Sequence, residues 1–142
     1  MLSRFIERAR AIDKNAIVER VLSKHTDELV ALQQKRLHSG LNTDQSIIQP
    51  FYSDSWGKVR RKAGKQTSFV DTDYSGKHFS KMFAKVGATE TTFGSDTKVA
   101  DYLVGMFSEK LYGLSDEDMN TLLTKQGIRN EILAEYKKAL LN

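Results

Sequence analysis

The spacing of apolar residues between positions 13 and 38 predicts one long helix. Side chains recur every three or four positions on one face of this segment: Ile17, Val18, Val21, Leu22, His25, Leu29, Leu32 and Arg36. Asp13 can cap its start, and Gly40 can end it in the left-handed conformation. Such a helix would be about 40 Å long. Because that is long for a small domain, we expect part of it to pack against a neighbouring subunit or a second domain.

The twelve residues before this helix, MLSRFIERARAI, form an amphipathic N-terminal arm or short helix, residues 1–12. Their arginines suggest a transit peptide. Glu7 and Asp13 interrupt the basic pattern, however, and the apolar h-region of a secretory signal is missing. We therefore expect an arm that belongs to the folded protein.

Residues 39–68 are rich in turn-forming residues and predict an extended loop region. Its apolar side chains are candidate interface anchors: Ile47, Ile48, Phe51, Tyr52 and Trp56. Within it, the glycine-bounded segment 57–66, GKVRRKAGKQ, is predicted to be an exposed, mobile basic loop. Its cations are candidate contacts to DNA or to an acidic partner: Lys58, Arg60, Arg61, Lys62 and Lys65.

The next forty residues predict short elements of mixed type. Residues 68–83 suggest a short helix capped by Thr72 or Asp73, with three buried side chains, Phe79, Met82 and Phe83. Loose alternation over residues 84–96 predicts a β-hairpin. Residues 95–107 predict a helix capped by Ser95, with an apolar side made of Val99, Tyr102, Leu103 and Met106.

The segment EKLYGLSDEDMNTLL, residues 109–123, ends in a cluster of acids that could suggest a metal site. A helix start explains the acids better. Ser115 is a candidate N-cap, Ser115 and Asp118 form a capping-box pattern, and Leu114 and Met119 occupy the positions of a hydrophobic staple. The preceding EKLYGL is predicted to be a short strand or an extended link. Helices are expected at about 116–125 and 128–141, or as one helix kinked at Gly127.

Composition fits one domain, residues 1–142, with a helix-rich α+β fold: a long N-terminal helix, a small antiparallel β-sheet, short helices and a C-terminal helix. The chain lacks cysteine, which excludes disulfides, cysteine-ligated zinc and a thiol nucleophile. It has no apolar run of membrane-spanning length. The net charge of +4 is too small to indicate nucleic-acid binding by itself.

Candidate catalytic chemistry is sparse. His25, His38 and His78 lack metal-ligand spacing, and "DTD" at 71–73 lacks the glycine and glutamate of a calcium loop. His78 with Asp71 and Asp73 is the one arrangement that suggests an enzyme, but no complete catalytic set accompanies it. We expect no enzymatic activity, no metal and no cofactor.

The basic segment is the most informative polar feature. It is either a solvated loop or a contact to phosphates or to an acidic partner. The excess charge of one chain is small, but it would add around the axis of a ring of about six or twelve copies. We therefore expect it to matter most in an assembly.

The order of these parts resembles a family of bacteriophage proteins. Tyr112-Gly113-Leu114-Ser115-Asp116-Glu117-Asp118, before a last helix, is similar to a motif of tail-completion, virion-morphogenesis and head–tail joining proteins. Tyr52-Ser53 with Lys58, and Asp71-Thr72 through Ser75-Gly76 to Phe79 and Met82, resemble earlier steps of the same pattern. Three residues separate Thr72 from Gly76, which departs from the family's spacing.

The resemblance implies a non-enzymatic virion protein of the neck or tail, made in the host cytoplasm. It implies a homo-oligomeric ring around the DNA channel that contacts connector or tail proteins. Three alternatives remain: a small nucleic-acid-binding protein using segment 57–66, an enzyme using His78 with the nearby acids, and an interaction domain of another kind.

Overall fold

The computed structural model describes residues 1–125 and 127–142. It confirms the helix-rich α+β class. In chain order the elements are α1 (Leu2–Ala11), α2 (Lys14–Ser23), α3 (Thr26–His38), α4 (Asp54–Lys62), α5 (Lys77–Ser80), β1 (Met82–Val86), β2 (Thr91–Ser95), α6 (Lys98–Met106), a 3-10 turn (Glu109–Leu111), α7 (Asp116–Asn120), a π-helical turn (Thr121–Lys125) and α8 (Ile128–Leu141).

The prediction of one long helix over residues 13–38 is wrong. Asp13 caps α2 as expected, with its Oδ1 accepting from the Ala16 amide at 3.0 Å. α2 ends at Ser23, with Lys24 as its C-cap, and α3 begins after His25, whose φ of −120° and ψ of 23° are not helical. Because the chain turns for only two residues, the apolar spacing continues across the break and conceals it.

The break is held by a polar contact between distant parts of the chain. The His25 Nδ1 lies 2.9 Å from Glu28 of α3, and its Nε2 lies 2.8 Å from Glu131 of α8. The hydrogen bond to Glu131, supported by Glu28, raises the pKa of His25 above its ordinary value of 6.5, although partial burial opposes the shift. The hydrogen bond between His25 and Glu131 therefore connects the start of α3 to α8.

This contact predicts that stability decreases as pH rises. A raised histidine pKa means that the folded protein holds the proton more tightly, so the stabilisation is complete below the unfolded pKa near 6.5. It is lost as pH rises through the folded-state pKa. Unfolding curves between about pH 5.5 and about pH 8.5 should show this loss in the wild type. Glu131→Gln should reduce the slope, and equal slopes in the two proteins would contradict the assignment.

The β-hairpin is confirmed. β1 and β2 pair antiparallel, with Ala84 opposite Phe93. The preceding helix is shorter than predicted, because α5 begins after Gly76 rather than at Thr72 or Asp73. Phe79 and Met82 are buried as expected, but Phe83 is exposed because it lies in β1, where neighbouring residues face opposite sides.

The helix predicted at 95–107 exists as α6, but Thr97 occupies its N-cap position instead of Ser95. Ser95 ends β2, where it pairs with Met82 and donates its hydroxyl to the His78 carbonyl at 2.7 Å. Within EKLYGL, Glu109–Leu111 form a 3-10 turn and Tyr112 after it is extended, so the strand alternative is wrong. The Leu111 carbonyl and the Gly113 amide bond to the side chains of Arg36 and Gln33 in α3 instead of to a partner strand.

The C-terminal predictions agree well with the structure. Ser115 accepts from the Asp118 amide while Asp118 accepts from the Ser115 amide, which is a complete capping box. Gly127 adopts the left-handed conformation at φ 71°, and α8 follows it. The acids at 116–118 therefore begin a helix, as their sequence indicated.

α3 joins two apolar clusters into the core. Leu37 packs in one cluster, whose other buried members are Ile48, Val70, Phe79, Met82, Leu103 and Leu111. Leu29 and Leu32 pack in the other, with Val21, Leu122 and Ile128. After α3, Gly40 turns with φ 74° as predicted, and a Cβ at this position would lie 2.7 Å from the Phe69 ring. The chain can therefore make this turn after α3 only with glycine at position 40.

Candidate interaction surface

An apolar groove of about 570 Å³ opens between three parts of the chain. One wall is the segment 50–53 with Trp56 and Arg60 of α4, and the second comprises Val70 and residues 72–74. The third is the outer side of α6 together with Phe107. We call this surface the α4–α6 groove.

Large apolar side chains in this groove are open to solvent. Trp56 and Tyr74 are each 40% exposed, and their rings contact at a centroid distance of 5.1 Å. Phe51 and three residues of α6 are exposed still more, at 59% for Phe51, 51% for Val99, 62% for Tyr102 and 44% for Met106. A continuous apolar surface of this kind is typical of a protein-interaction site.

A network of buried polar side chains connects two walls of the groove. Arg60 is only 2% exposed, and its Nη2 donates to Asp71 Oδ1 at 3.0 Å. The guanidinium also lies over the Tyr52 ring, 4.4 Å from the centroid. The Tyr52 hydroxyl donates to the same Asp71 oxygen at 3.1 Å, and burial raises the Tyr52 pKa to about 12. These contacts fix α4 against the segment 70–74.

The predicted interface anchors divide into three groups. Phe51, Tyr52 and Trp56 line the groove, although they belong to different local elements. Ile47 is 55% exposed beside an isolated bridge to Leu41, whereas Ile48 is completely buried in the core. Ile48 is therefore a core residue, and its proposed role as an interface anchor is corrected.

The sequence analysis did not identify the exposed side of α6 as part of a binding surface. The sequence placed Val99, Tyr102 and Met106 on one side of a helix, which is also the pattern of a core-facing helix. In the structure Ala100 and Leu103 are the buried residues of α6. Periodicity identified the helix but could not indicate which apolar side chains a neighbouring element covers.

The predicted mobile basic loop is largely a helix. Ser53 caps α4 by accepting from the Trp56 amide, and the helix continues to Lys62 within the region predicted to be extended, 39–68. Arg60 points into the fold and is paired with Asp71, so it is not part of an exposed contact surface. Lys58, Arg61 and Lys62 are exposed with Val59 on the other side of α4, and half-buried Lys65 follows the helix. We call Lys58, Arg61 and Lys62 the basic face.

The N-terminal helix α1 presents a second apolar surface. Leu2 is 73% exposed, Phe5 48% and Ile6 41%, and Met1 before them is fully open to solvent. Ala9 is half-buried. α1 contacts α8 of its own chain, but most of its apolar side remains in water.

His38, His78 and the two aspartates predicted to accompany His78 make separate contacts. Buried His78 lies 2.7 Å from the Tyr112 hydroxyl through its Nε2, and burial lowers its pKa. His38 lies 3.6 Å from Asp73 and contacts the Phe79 ring. Asp71 bonds to Arg60 and Gln66. Within the described residues, His78 therefore makes no hydrogen bond to Asp71 or Asp73, although the charge of Asp73 acts on it and opposes the lowering of its pKa.

Within residues 1–125 and 127–142, no three histidine or acidic side chains are placed to hold a metal ion. Across the same ranges, no helix combines the length and apolar character that crossing a bilayer requires.

Comparison of the chain with models of protein families, with curated proteins and with solved structures finds no significant match.

Proposed function

We propose that this protein is a structural component of a bacteriophage neck or tail, acting in head–tail joining or tail completion. It forms a ring through protein–protein contacts around the DNA channel. The observation that carries this proposal is the pair of exposed apolar surfaces, one on α1 and one in the α4–α6 groove. Apolar surfaces of this kind favour association over an isolated monomer.

The two surfaces share no residue, which favours a ring over a symmetric dimer. A two-fold dimer places the same patch of both copies in contact, whereas two different patches join copies head to tail. A head-to-tail contact that closes on itself produces a ring. The resemblance of Tyr112–Asp118 to neck and tail proteins supports a place for such a ring in the virion.

The proposal predicts that the purified chain assembles as its concentration rises. Light scattering should show a mass well above the 16.1 kDa of one chain, because each added copy buries both apolar surfaces. Negative-stain images of the same samples should show closed rings with an open centre. A chain that stays monomeric at every concentration would contradict the ring.

A second function is favoured by the basic face of α4, where Lys58, Arg61 and Lys62 are exposed together. Such a surface suits the phosphates of DNA, either packaged DNA inside a ring or DNA bound by the single chain. A nucleic-acid-binding protein would use it as its main contact.

Salt dependence tests this alternative. Replacing Lys58, Arg61 and Lys62 by glutamine should reduce the slope of log affinity against log salt by about three, since each phosphate contact contributes about 0.9. The matched control replaces three exposed lysines elsewhere, Lys77, Lys81 and Lys85. Equal slopes for the basic-face variant and the wild type would exclude α4 as the contact to DNA.

A further inference from the structure

We propose that α1 of one copy occupies the α4–α6 groove of the next copy. This inference rests on the proposed ring and identifies the contact that would build it. The occupant of the groove is thus a second copy of this chain, and the bound segment is its N-terminal helix.

The spacing of α1 is that of a helix that binds in a groove. Leu2, Phe5, Ile6 and Ala9 stand at positions i, i+3, i+4 and i+7, which are the anchor positions of helix-in-groove recognition. These four positions form one stripe about 100° wide. The arginines of α1 lie outside that stripe, so their side chains can remain in water while the apolar side is covered.

The groove has a suitable size and chemistry for these anchors. Its volume of about 570 Å³ lies within the range of sites that bury most of a bound group, about 300 to 1,000 Å³. Trp56, Tyr74 and Tyr102 provide aromatic walls that can contact Phe5 and Ile6. The network of Arg60, Asp71 and Tyr52 holds those walls in place before binding.

The charges of the two surfaces are complementary. α1 carries Arg4, Arg8 and Arg10 against Glu7, a net charge of +2. The charged groups lining the groove are Arg60 and Asp73, and Asp71 neutralises Arg60. Asp73 lies 3.6 Å from His38, which does not line the groove, so among the lining residues its carboxylate has no charged partner and favours a basic helix over an acidic one.

The contact joins different copies because each surface belongs to separate elements of the fold. Within one chain, α1 lies against α8, whereas the groove is formed by α4, α6 and residues 50–53 and 70–74. A copy whose groove is filled by its neighbour still offers its own α1 to a third copy. The chain of contacts continues until it closes.

The test uses two full-length variants, each disabling one surface. Phe5→Asp places a charge in the stripe of α1, and Tyr102→Asp places one in the groove. Both positions are exposed, so the fold should persist, which circular dichroism checks. The control is Val59→Asp, an exposed apolar residue on the outer side of α4. Light scattering measures the mass of each variant by itself and of the two variants mixed in equal amounts.

We expect each of the two variants to remain near 16.1 kDa at concentrations where the wild type and Val59→Asp assemble. Mixed together, the variants should form a one-to-one dimer of twice that mass. The intact helix of Tyr102→Asp fits the intact groove of Phe5→Asp, and the disabled surfaces prevent further growth.

Assembly of either variant like the wild type, or a mixture that stays monomeric, would overturn this contact while leaving the ring itself intact. A wild-type chain that stays monomeric would overturn the proposed ring and this contact together.

Discussion

Replacing Arg60 by methionine is expected to lower the free energy of unfolding by about 3 kcal/mol, because one half of a buried ion pair is removed. Methionine retains an unbranched apolar stem but cannot donate to Asp71, to the Gln66 carbonyl or to the Asp73 carbonyl. Asp71, whose side chain is 13% exposed, would keep its bonds from Tyr52 and Gln66. Urea unfolding followed by circular dichroism measures the change.

The neighbouring arginine gives a matched control for this experiment. Arg61 belongs to the same helix but is exposed, so Arg61→Met should change stability by no more than about 0.5 kcal/mol. The double variant Arg60→Met with Asp71→Asn should recover part of the loss, since the isolated carboxylate charge is then absent. A loss in the free energy of unfolding below about 1 kcal/mol for Arg60→Met would show that the Arg60–Asp71 pair does not stabilise the packing of α4 against residues 70–74.

Replacing Arg36 by methionine is expected to have a larger effect, about 4 kcal/mol. Arg36 is 4% exposed and donates to three backbone carbonyls, those of Leu41, Leu111 and Gly113, at 2.7, 2.9 and 3.0 Å. Its Nε lies 3.5 Å from Asp118 Oδ2, an ion pair without hydrogen-bond geometry. The variant removes these donors together, which leaves carbonyls in the interior without their Arg36 partner.

Lys35 supplies the control for Arg36, because it precedes it in α3 and is exposed. Lys35→Met should leave the unfolding midpoint nearly unchanged. Near-UV circular dichroism should also change in Arg36→Met, since the turn it holds carries Tyr112. If Arg36→Met unfolds at the same urea concentration as Lys35→Met, these hydrogen bonds do not stabilise the fold.

Several elements were predictable because their signals are local. The capping box needs only Ser115 and Asp118, three residues apart, and Gly127 and Gly40 act through their own φ angles. The hairpin follows from alternation within about a dozen residues. Each of these predictions depends on interactions inside one turn or one strand pair, so no distant part of the chain could reverse it.

α4 shows that a local signal can also be overlooked. Ser53 caps its start, basic residues fill its last turn, and Gly64 ends it with φ 73°. These are ordinary helix boundaries. Gly57 and the density of cations within the segment favoured a loop instead. The helix matters for function, because it places Arg60 and the basic face on different sides.

By itself, the sequence determined the helix-rich α+β class, the hairpin and the helix boundaries at Asp13, Gly40, Ser115 and Gly127. The tertiary structure alone decided the break at His25, which is held by Glu131 of α8, and the burial of Arg60 against Asp71. It alone decided that Val99, Tyr102 and Met106 stay exposed beside Trp56. The physical reason is that capping and backbone conformation depend on neighbours in the chain, whereas burial and ion pairing depend on residues brought close only by folding.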